Sequence, residues 1–490
     1  MAIQKLPDVA LRIDGRPVPS TSDQVLAVIN PANGRQLFDL PIGSEADVNA
    51  AVQSARRIFE SGAWWGMEPE GRKKLLHKWA DLVERNAETL DQLDAVEMGK
   101  PLRLKAFNAM KASSLVRFYA ETIDKAKGDV LSSDRHSTVI RKGVPRGVVA
   151  AITPWNFPTY NAAMKIAPAL AAGNSIVLKP SELSSQAALM LADLACEAGI
   201  PPGAVNVVPG AGQTTGKGLA LHGDVDMVVF MGSSDVGKLM LQYSGQSNMK
   251  PVIAECGGKS PQIVFDDGVD LDAAAAAVAT GITVNQGQWC SAGSRLLVQR
   301  SIEAAFVEAV VQKLRDLVVG DPLDNATDLG PLVSERQLNR VLSYIDSGNR
   351  EGAELIYGGK RLQEATGGYY LEPTVFRKVS SDSRIAREEI FGPVLSVMSF
   401  TDVDHAIRLA NSTDYGLSAY VWTASLATGF SLGKGIRAGA VVVNANPPFG
   451  PGPGAAYTSE AYGLSGIGIR GGMPGLMAYQ RQHLVWFNHQ

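Results

Sequence analysis

Three side chains in this chain have types and settings that could do chemistry: a thiol, a carboxylate and an amide. Cys290 lies in VNQGQWCSAGSRLLV, bracketed by Gly287 and Gly293. Glycines on both sides let the backbone turn tightly and approach a ligand. A lone cysteine ordinarily packs as a small hydrophobe, and Cys196 in LADLACEAG and Cys256 fit that plain reading. The polar, glycine-bracketed setting of Cys290 weakens that plain reading there. Glu255 follows the apolar run Val252-Ile253-Ala254 and precedes a Gly-Gly pair, which poises it at a strand end. Its plain reading is a capping or paired carboxylate; a pKa raised by burial would make it a general base. Asn156 stands between the prolines of TPWNFP. Its amide could donate to an oxyanion, or simply shape a turn.

Three loops that follow apolar runs could hold a dinucleotide. In Leu178-Lys179-Pro180-Ser181-Glu182, the lysine could bond ribose or phosphate and Glu182 could accept from a ribose diol. Gly210-Ala211-Gly212-Gln213-Thr214-Thr215-Gly216 resembles a glycine fingerprint, but its last spacing is one residue too long. Gly232-Ser233-Ser234-Asp235-Val236-Gly237 opens a helix, where free N–H groups and the helix dipole favour a pyrophosphate. Each loop alone is compatible with ordinary turn chemistry. Three in succession at strand exits carry more weight.

The elements that must position these residues alternate. Residues 45–122 read as helical, with Val48, Ala51, Val52 and Ala55 at helical spacing. Residues 125–149 change pattern: Thr138-Val139-Ile140, Val144 and Val148-Val149 read as short strands broken at Gly143 and Pro145-Arg146-Gly147. Strands are then expected at 148–152, 175–178, 205–208 and 227–230. Helices are expected at 161–172, 183–198, 214–221 and 236–243. Such βα alternation predicts a parallel sheet covered on both faces, with nucleotides at the carboxyl ends of its strands. A second α/β stretch begins near Gly257, with strands at 263–265, 296–298, 394–400 and 440–443 and helices at 271–280, 302–317 and 335–351. Residues 447–454, PPFGPGPG, form a Pro/Gly loop, and Leu484–Phe487 reads as a terminal strand.

Composition supports a soluble enzyme. Of 490 residues, 45% are hydrophobic and 19% charged, enough for a sizeable core. Lys+Arg 46 against Asp+Glu 49 gives a net charge of −3, without the basic excess that nucleic acid or a membrane surface calls for. No apolar run reaches the ~18 residues of a membrane span, and the start lacks the apolar core of a secretory signal. Three cysteines exclude a disulfide scaffold or a cysteine-rich zinc module. A cytoplasmic protein without a bound metal is expected.

Taken together, TPWNFP, LKPSE, FMGSSDVG, ECGGKSP, NQGQWC and EEIFGPV, in that order along the whole chain, resemble the aldehyde dehydrogenase superfamily. The stretch 247–265 and the surroundings of Cys290 look most like enzymes acting on ω-amino or γ-glutamylamino aldehydes. The resemblance implies an α/β aldehyde dehydrogenase fold of two doubly wound domains plus a small β oligomerisation flap. Its boundaries would be 1–124 and 148–256 for NAD binding, 257–456 for catalysis, and 125–147 with 471–490 for the flap, in a homodimer or homotetramer. It implies Cys290 as nucleophile, Asn156 and the Cys290 N–H as oxyanion hole, and Glu255 as the base that hydrolyses a thioester.

Cofactor contacts, to NAD with NADP possible, are implied at Ile152, Thr153, Pro154, Trp155, Lys179, Ser181, Glu182, Gly212, Gly216, Phe230, Gly232, Ser233, Val236, Gly257, Glu389 and Phe391. The carboxylate of Glu182 would repel a 2′-phosphate. A small-molecule aldehyde, apolar, aromatic or amino, would pass Phe157, Tyr160, Met164, Trp289 and Ser291; plain core packing is the other reading of the aromatic ones. The chain departs from the family pattern at Met231, at Cys256, at the bulky Trp289 and across Pro447–Arg470, where the usual lysine is lost. A CoA-acylating semialdehyde dehydrogenase commonly lacks the hydrolytic glutamate, so Glu255 argues against it. A catalytically silent member of the fold would have lost Cys290, and a thiol hydrolase would be expected to place a histidine near that cysteine.

Overall fold

The computed structural model describes residues 9–445 and 454–489; the Pro/Gly loop lies outside these apart from Gly454. Two large sheets form the frame. In the first, five parallel strands run in the spatial order Val205–Val207, Ser175–Lys179, Val148–Ile152, Met227–Met231, Val252–Glu255. Every residue of VVAAI in the Val148 strand is buried, as expected of a strand covered on both faces. Side chains alternate between two cores. Val148, Ala150 and Ile152 join Leu11, Val48 and Val52, while Val149 and Ala151 join Trp79, Ile166 and Leu178. Strand order reverses between the Val148 and Met227 strands, and the crevice outside such a switch point is where doubly wound sheets hold ligands.

Sheet membership changes between Glu255 and Pro261. The second sheet is ordered Thr374–Arg377, Val394–Phe400, Arg295–Gln299, Pro261–Val264, Ser418–Trp422, Ala440–Val443, all parallel, with Glu354–Tyr357 antiparallel at one edge. Glu255 ends the last parallel strand of the first sheet, and Cys290 lies on the segment leading into the Arg295 strand of the second.

Most expected elements are present within a few residues of their expected ends, and the differences have physical causes. Pro158 is the first residue of the helix Pro158–Ala171, where its missing N–H costs nothing. The next helix starts at Gln186 rather than Leu183, because Ser185 Oγ turns back to the Ser181 carbonyl and the Glu97 carboxylate accepts the Ser185 and Gln186 N–H groups. Residues 212–216 form one wide turn before the short helix Lys217–Leu221. Gly143 and Pro145 do not break their segment: Ser137–Pro145 is one continuous strand, paired antiparallel along its length with Gln480–Asn488.

The first 44 residues, assigned no element from sequence, hold two hairpins. Leu11–Ile13 and Arg16–Val18 turn at Asp14-Gly15, both left-handed, and extend the first sheet. Asp-Gly is the signal that could have revealed this hairpin.

A C-terminal arm adds an edge to the first sheet and pairs with the residues just before the Ser418 strand of the second. Gly466 and Ile467 pair antiparallel with Glu255 and Ala254, while Tyr462 and Gly463 pair with Gly416 and Tyr415. Ser459 and Glu460 close the arm against Arg470 and Ile469.

Candidate active site

The nucleophile candidate sits on a strained, heavily braced turn. The helix Leu271–Thr283 ends in a segment where Asn285, Gln286 and Gly287 are all left-handed, with φ of 48°, 58° and 69°. Such conformations cost energy in residues other than glycine, and the side chains supply the compensation. Asn285 Nδ2 donates to the Asn156 carbonyl at 2.6 Å. Gln286 Nε2 donates to the carbonyls of Gly99 and Pro331 at 2.7 and 2.8 Å, and Gln288 Oε1 accepts the Val333 N–H at 2.9 Å. A Cβ on Gly287 would collide with the Gly392 carbonyl, so only glycine fits. Cys290 emerges from this turn half-buried beside Ser291, whose Oγ is 4.0 Å from Sγ.

Asn156 is anchored to the same turn. Its Nδ2 donates to the Gln288 carbonyl at 3.0 Å, and its Oδ1 accepts from Asn161 Nδ2 at 3.1 Å. An amide nitrogen carries two hydrogens; one is used here and the other is left for a ligand.

Glu255 differs from its expected state. Burial does push its carboxyl upward, but Lys165 and Arg470 outweigh burial and pull it below its ordinary value. Lys165 Nζ, itself 2% exposed, pairs with Oε1. Arg470 Nη1 donates to Oε2 at 2.8 Å. The burial-raised base anticipated from sequence is therefore corrected to a doubly paired, ionised carboxylate. Neither cation was singled out from sequence. A lone lysine within the apolar helix NAAMKIAPALAA was the available sign of Lys165, and the departure of residues 447–470 from the family pattern the sign of Arg470.

Charge also acts on the thiol. Burial pushes the Cys290 thiol up, Arg470 opposes this, and Glu389 and Glu255 add to the rise. Cys256, the departure beside Glu255, is buried in the core with Ala254 and Phe230, and burial pushes its thiol to about 12. It behaves as the small hydrophobe its plain reading predicted.

The crevice at the switch point gathers the other candidates. Thr153 to Asn156 leave the Val148 strand, and Gly232 and Ser233 leave the adjacent Met227 strand, where Met231 stands in register with Glu255. Phe230 packs under Gly232. Ser233 is exposed and caps the helix Ser234–Gln246, accepting the Val236 N–H at 3.4 Å; the start of such a helix favours an anion.

One strand over, Lys179 Nζ donates to the Pro180 carbonyl at 2.8 Å and lies 3.7 Å from Glu182. Burial lowers the lysine and Glu182 opposes that. Gly216 packs its backbone against the Lys179 side chain, while Gly212 is exposed, with open space around it. Ser181 is buried at the turn that leads into the next helix.

On the far wall, Glu389 lies against Gly257, where a Cβ would collide with its carboxylate, and accepts the Gly258 N–H at 3.0 Å. Burial raises its carboxyl to about 7, against the pull of that N–H, Arg340 and Lys259. Phe391, left-handed at φ 61°, stands edge-on to Trp155 at 5.3 Å. Two carboxylates, a lysine and a helix start on neighbouring strand exits could hold a dinucleotide with its two riboses and pyrophosphate.

The lining candidates divide. Phe157 and Trp289 join Phe107, at centroid distances of 4.8 and 5.8 Å, and Tyr160 stands edge-on to Phe107 at 5.0 Å. This aromatic cluster packs against Cys290. Phe107 was not foreseen; it is left-handed at φ 50° in an irregular loop, where no periodicity marks it. Met164 packs with the main core of the first sheet. Ser291 is buried, and its carbonyl accepts from Tyr420 Oη at 2.8 Å. Among the described residues there is no cluster of ligands suited to a metal ion, and no helix is long and apolar enough to cross a membrane.

Comparison with known proteins gives one consistent picture. The family described as aldehyde dehydrogenase matches residues 18–485. An aldehyde dehydrogenase of Enchytraeus buchholzi is 42% identical over 477 residues, 96% of this chain and 93% of that protein. The NADP/NAD-dependent aldehyde dehydrogenase PuuC of Escherichia coli is 41% identical over 89% of this chain and 87% of its own. Among solved structures, the P. syringae indole-3-acetaldehyde dehydrogenase AldA in complex with NAD+ and IAA superposes with a TM-score of 0.96 at 43% identity, covering 99% of this chain and 97% of that one. The gamma-glutamyl-gamma-aminobutyraldehyde dehydrogenase from Burkholderia cenocepacia gives 0.95 at 46% identity, covering 98% and 97%.

Proposed function

This chain belongs to the aldehyde dehydrogenase family, enzymes that oxidise aldehydes with NAD, and from that premise we propose that it does so through a covalent cysteine intermediate. The supporting observation is that the turn carrying Cys290 is bonded directly to Asn156. Cys290 attacks the aldehyde carbon as a thiolate. The carbonyl oxygen gains the electron pair and is held by the unused Nδ2 hydrogen of Asn156 and the Cys290 backbone N–H, donors fixed before the reaction begins. When bound, the nicotinamide supplies the hydride acceptor. Collapse of the oxyanion leaves a thioester on Cys290. Glu255 then takes a proton from water, which attacks the thioester, breaks the C–S bond and releases a carboxylic acid and the thiol.

Glu182 and Lys179 would hold the adenosine ribose, the Ser233 helix start the pyrophosphate, and Glu389 with Phe391 the nicotinamide ribose. Trp155, Gly216, Gly232 and Gly257 would shape the floor. The aromatic cluster beside Cys290 favours an apolar or aromatic aldehyde. Arg470, whose charge acts on the Cys290 thiol, weighs against a substrate ammonium and so against the aminoaldehyde class. Glu255 weighs against transfer to CoA. Two parts of the chain are assigned to assembly: Ser137–Pro145 and Gln480–Asn488 form a sheet with exposed Leu484, Trp486 and Phe487, apolar surface suited to a homodimer or homotetramer.

A panel of aliphatic, aromatic and amino aldehydes, compared by kcat/KM from the absorbance of reduced NAD with and without CoA, tests the reading. Turnover that requires CoA would replace hydrolysis with acyl transfer. A preference for amino aldehydes would overturn the substrate assignment.

A further inference from the structure

The Lys165–Glu255–Arg470 cluster holds more than a base needs. Both carboxylate oxygens of Glu255 are engaged, Oε1 by Lys165 and Oε2 by Arg470. Two cations on one anion leave an excess positive charge in a nearly dry site. Each oxygen keeps a further lone pair, but with both cations in place the carboxylate is a weakened base, and release of one oxygen strengthens it.

The two cations differ in freedom. Lys165 rises from the middle of a buried fourteen-residue helix and is 2% exposed. Arg470 is 21% exposed at its side chain. It ends a two-residue strand pairing only with Ser459-Glu460, and two left-handed glycines, Gly471 and Gly472, follow it. Its Nε makes one long bond, 3.4 Å to Ser459 Oγ, and its guanidinium lies 5.9 Å from the Tyr457 ring. Among the described residues none accepts from Nη2.

We propose that Arg470 is a positioning residue for hydrolysis: it holds Glu255 ionised at rest and, by releasing Oε2, strengthens Glu255 as the base that takes the proton of the attacking water. The inference rests on Glu255 being the base, as read above. Lys165 is the fixed partner that keeps the carboxylate in place while Arg470 swings away. The groups facing Glu255 are then Lys165 and Tyr160 from one helix, Tyr119 from Ala109–Thr122, Tyr479 from the C-terminal segment, and the thiols of Cys256 and Cys290. All but Lys165 are neutral in the resting protein at neutral pH, so the charge on Glu255 is set by the two cations.

The test follows the decay of the Cys290 thioester, formed with NAD and an aldehyde in the full-length enzyme and quantified by intact-protein mass spectrometry after quenching across a pH series. Arg470→Gln and Arg470→Met remove the charge, and Arg470→Lys keeps it; the neutral variant with wild-type circular dichroism is read. Loss of an opposite charge at this range raises a carboxyl by about one unit or more, so the acid limb of thioester decay should move to higher pH by about that amount. Above the limb decay should be faster than in the wild type, because the freed carboxylate is a stronger base. Arg470→Lys should restore the wild-type limb. A limb unmoved in a folded neutral variant overturns the inference, as does a limb that moves equally in Arg470→Lys. Glu255→Gln separates the two readings: if its thioester decays at the wild-type rate, Glu255 is not the base and the earlier reading falls. If its thioester persists while the neutral Arg470 variants match the wild type at every pH, only the role of Arg470 falls.

Discussion

The amide of Asn156 donates to the carbonyl of Gln288, two residues before Cys290, at 3.0 Å. The proposed oxyanion donor is thus bonded to the very turn that carries the proposed nucleophile. Asn156→Ala removes both the donor and the brace. Loss of one oxyanion donor typically lowers turnover ~10²–10³-fold, and with the Gln288 carbonyl left only a long bond from Asn285 Nδ2 at 3.4 Å and the Asn161 amide orphaned, the change should cost about 1–3 kcal/mol of stability. Steady-state rates and thermal melting measure the two effects separately. A variant that melts early but turns over normally would assign Asn156 to the scaffold alone.

Removing the sulfur separates chemistry from binding. Cys290 faces the aromatic cluster and the charged pair, while the cofactor candidates Lys179, Glu182 and Ser233 stand on other strand exits. Cys290→Ala should therefore abolish aldehyde oxidation and leave NAD titration, followed by quenching of tryptophan fluorescence, close to the wild-type curve. Residual oxidation above the uncatalysed rate would place the nucleophile elsewhere.

Glu389 supplies a pH dependence. Its carboxyl is raised to about 7, first by burial, so it is mostly protonated at pH 6 and mostly ionised at pH 8. The ionised form accepts hydrogen bonds with both oxygens and is the better partner for two ribose hydroxyls. If only that form binds, NAD affinity should rise about tenfold from pH 6 to pH 8. Calorimetric titration across this range should show the rise in the wild type and a flat profile in Glu389→Gln.

What could be read from the sequence, and what could not, divides by the range of the interaction. The parallel strands were legible because burial on both faces writes itself into the chain as short apolar runs such as VVAAI, bounded by local turn residues. Cys290, Glu255 and Asn156 stood out as candidates because each sits in a distinctive local motif. The ionisation state of Glu255 was not. Burial alone argues for a raised carboxyl, and the cations that reverse it lie 90 residues upstream and 215 downstream. Arg470 reaches the site only because Gly466 and Ile467 add an antiparallel edge to the Val252 strand, and two-residue strands carry no periodicity. Phe107 was hidden for the same reason: a left-handed residue in an irregular loop has no pattern to announce it.

The aromatic cluster should set selectivity. Trp289 and Phe107 stand tilted at 52° with ring centroids 5.8 Å apart, beside Phe157 and Tyr160, and aromatic pairs contribute about 0.5–1.5 kcal/mol beyond burial. Trp289→Ala should lower kcat/KM for an aromatic aldehyde several-fold more than for a short aliphatic one. Equal losses for both would mean that Trp289 braces the nucleophile turn and does not contact the substrate.

Cofactor choice should turn on Glu182. Its carboxylate, partly exposed, lies 3.7 Å from the buried Lys179 ammonium, and the pair stands at the exit of the Ser175 strand, one strand away from the switch-point crevice. A 2′-phosphate placed on the adenosine ribose would meet the carboxylate, and like charges a few ångströms apart near a protein surface repel by a few kcal/mol. Screening by salt reduces this, so the discrimination should weaken as ionic strength rises. Glu182→Gln removes the repulsion and frees Lys179 to pair with the added phosphate. The ratio of kcat/KM for NAD to that for NADP should fall by about ten- to a hundredfold, mainly through the KM for NADP, and its salt dependence should flatten or reverse. Were the ratio unchanged in Glu182→Gln at low salt, the adenosine ribose would have to lie away from this strand exit, and Lys179 and Glu182 would be a structural pair.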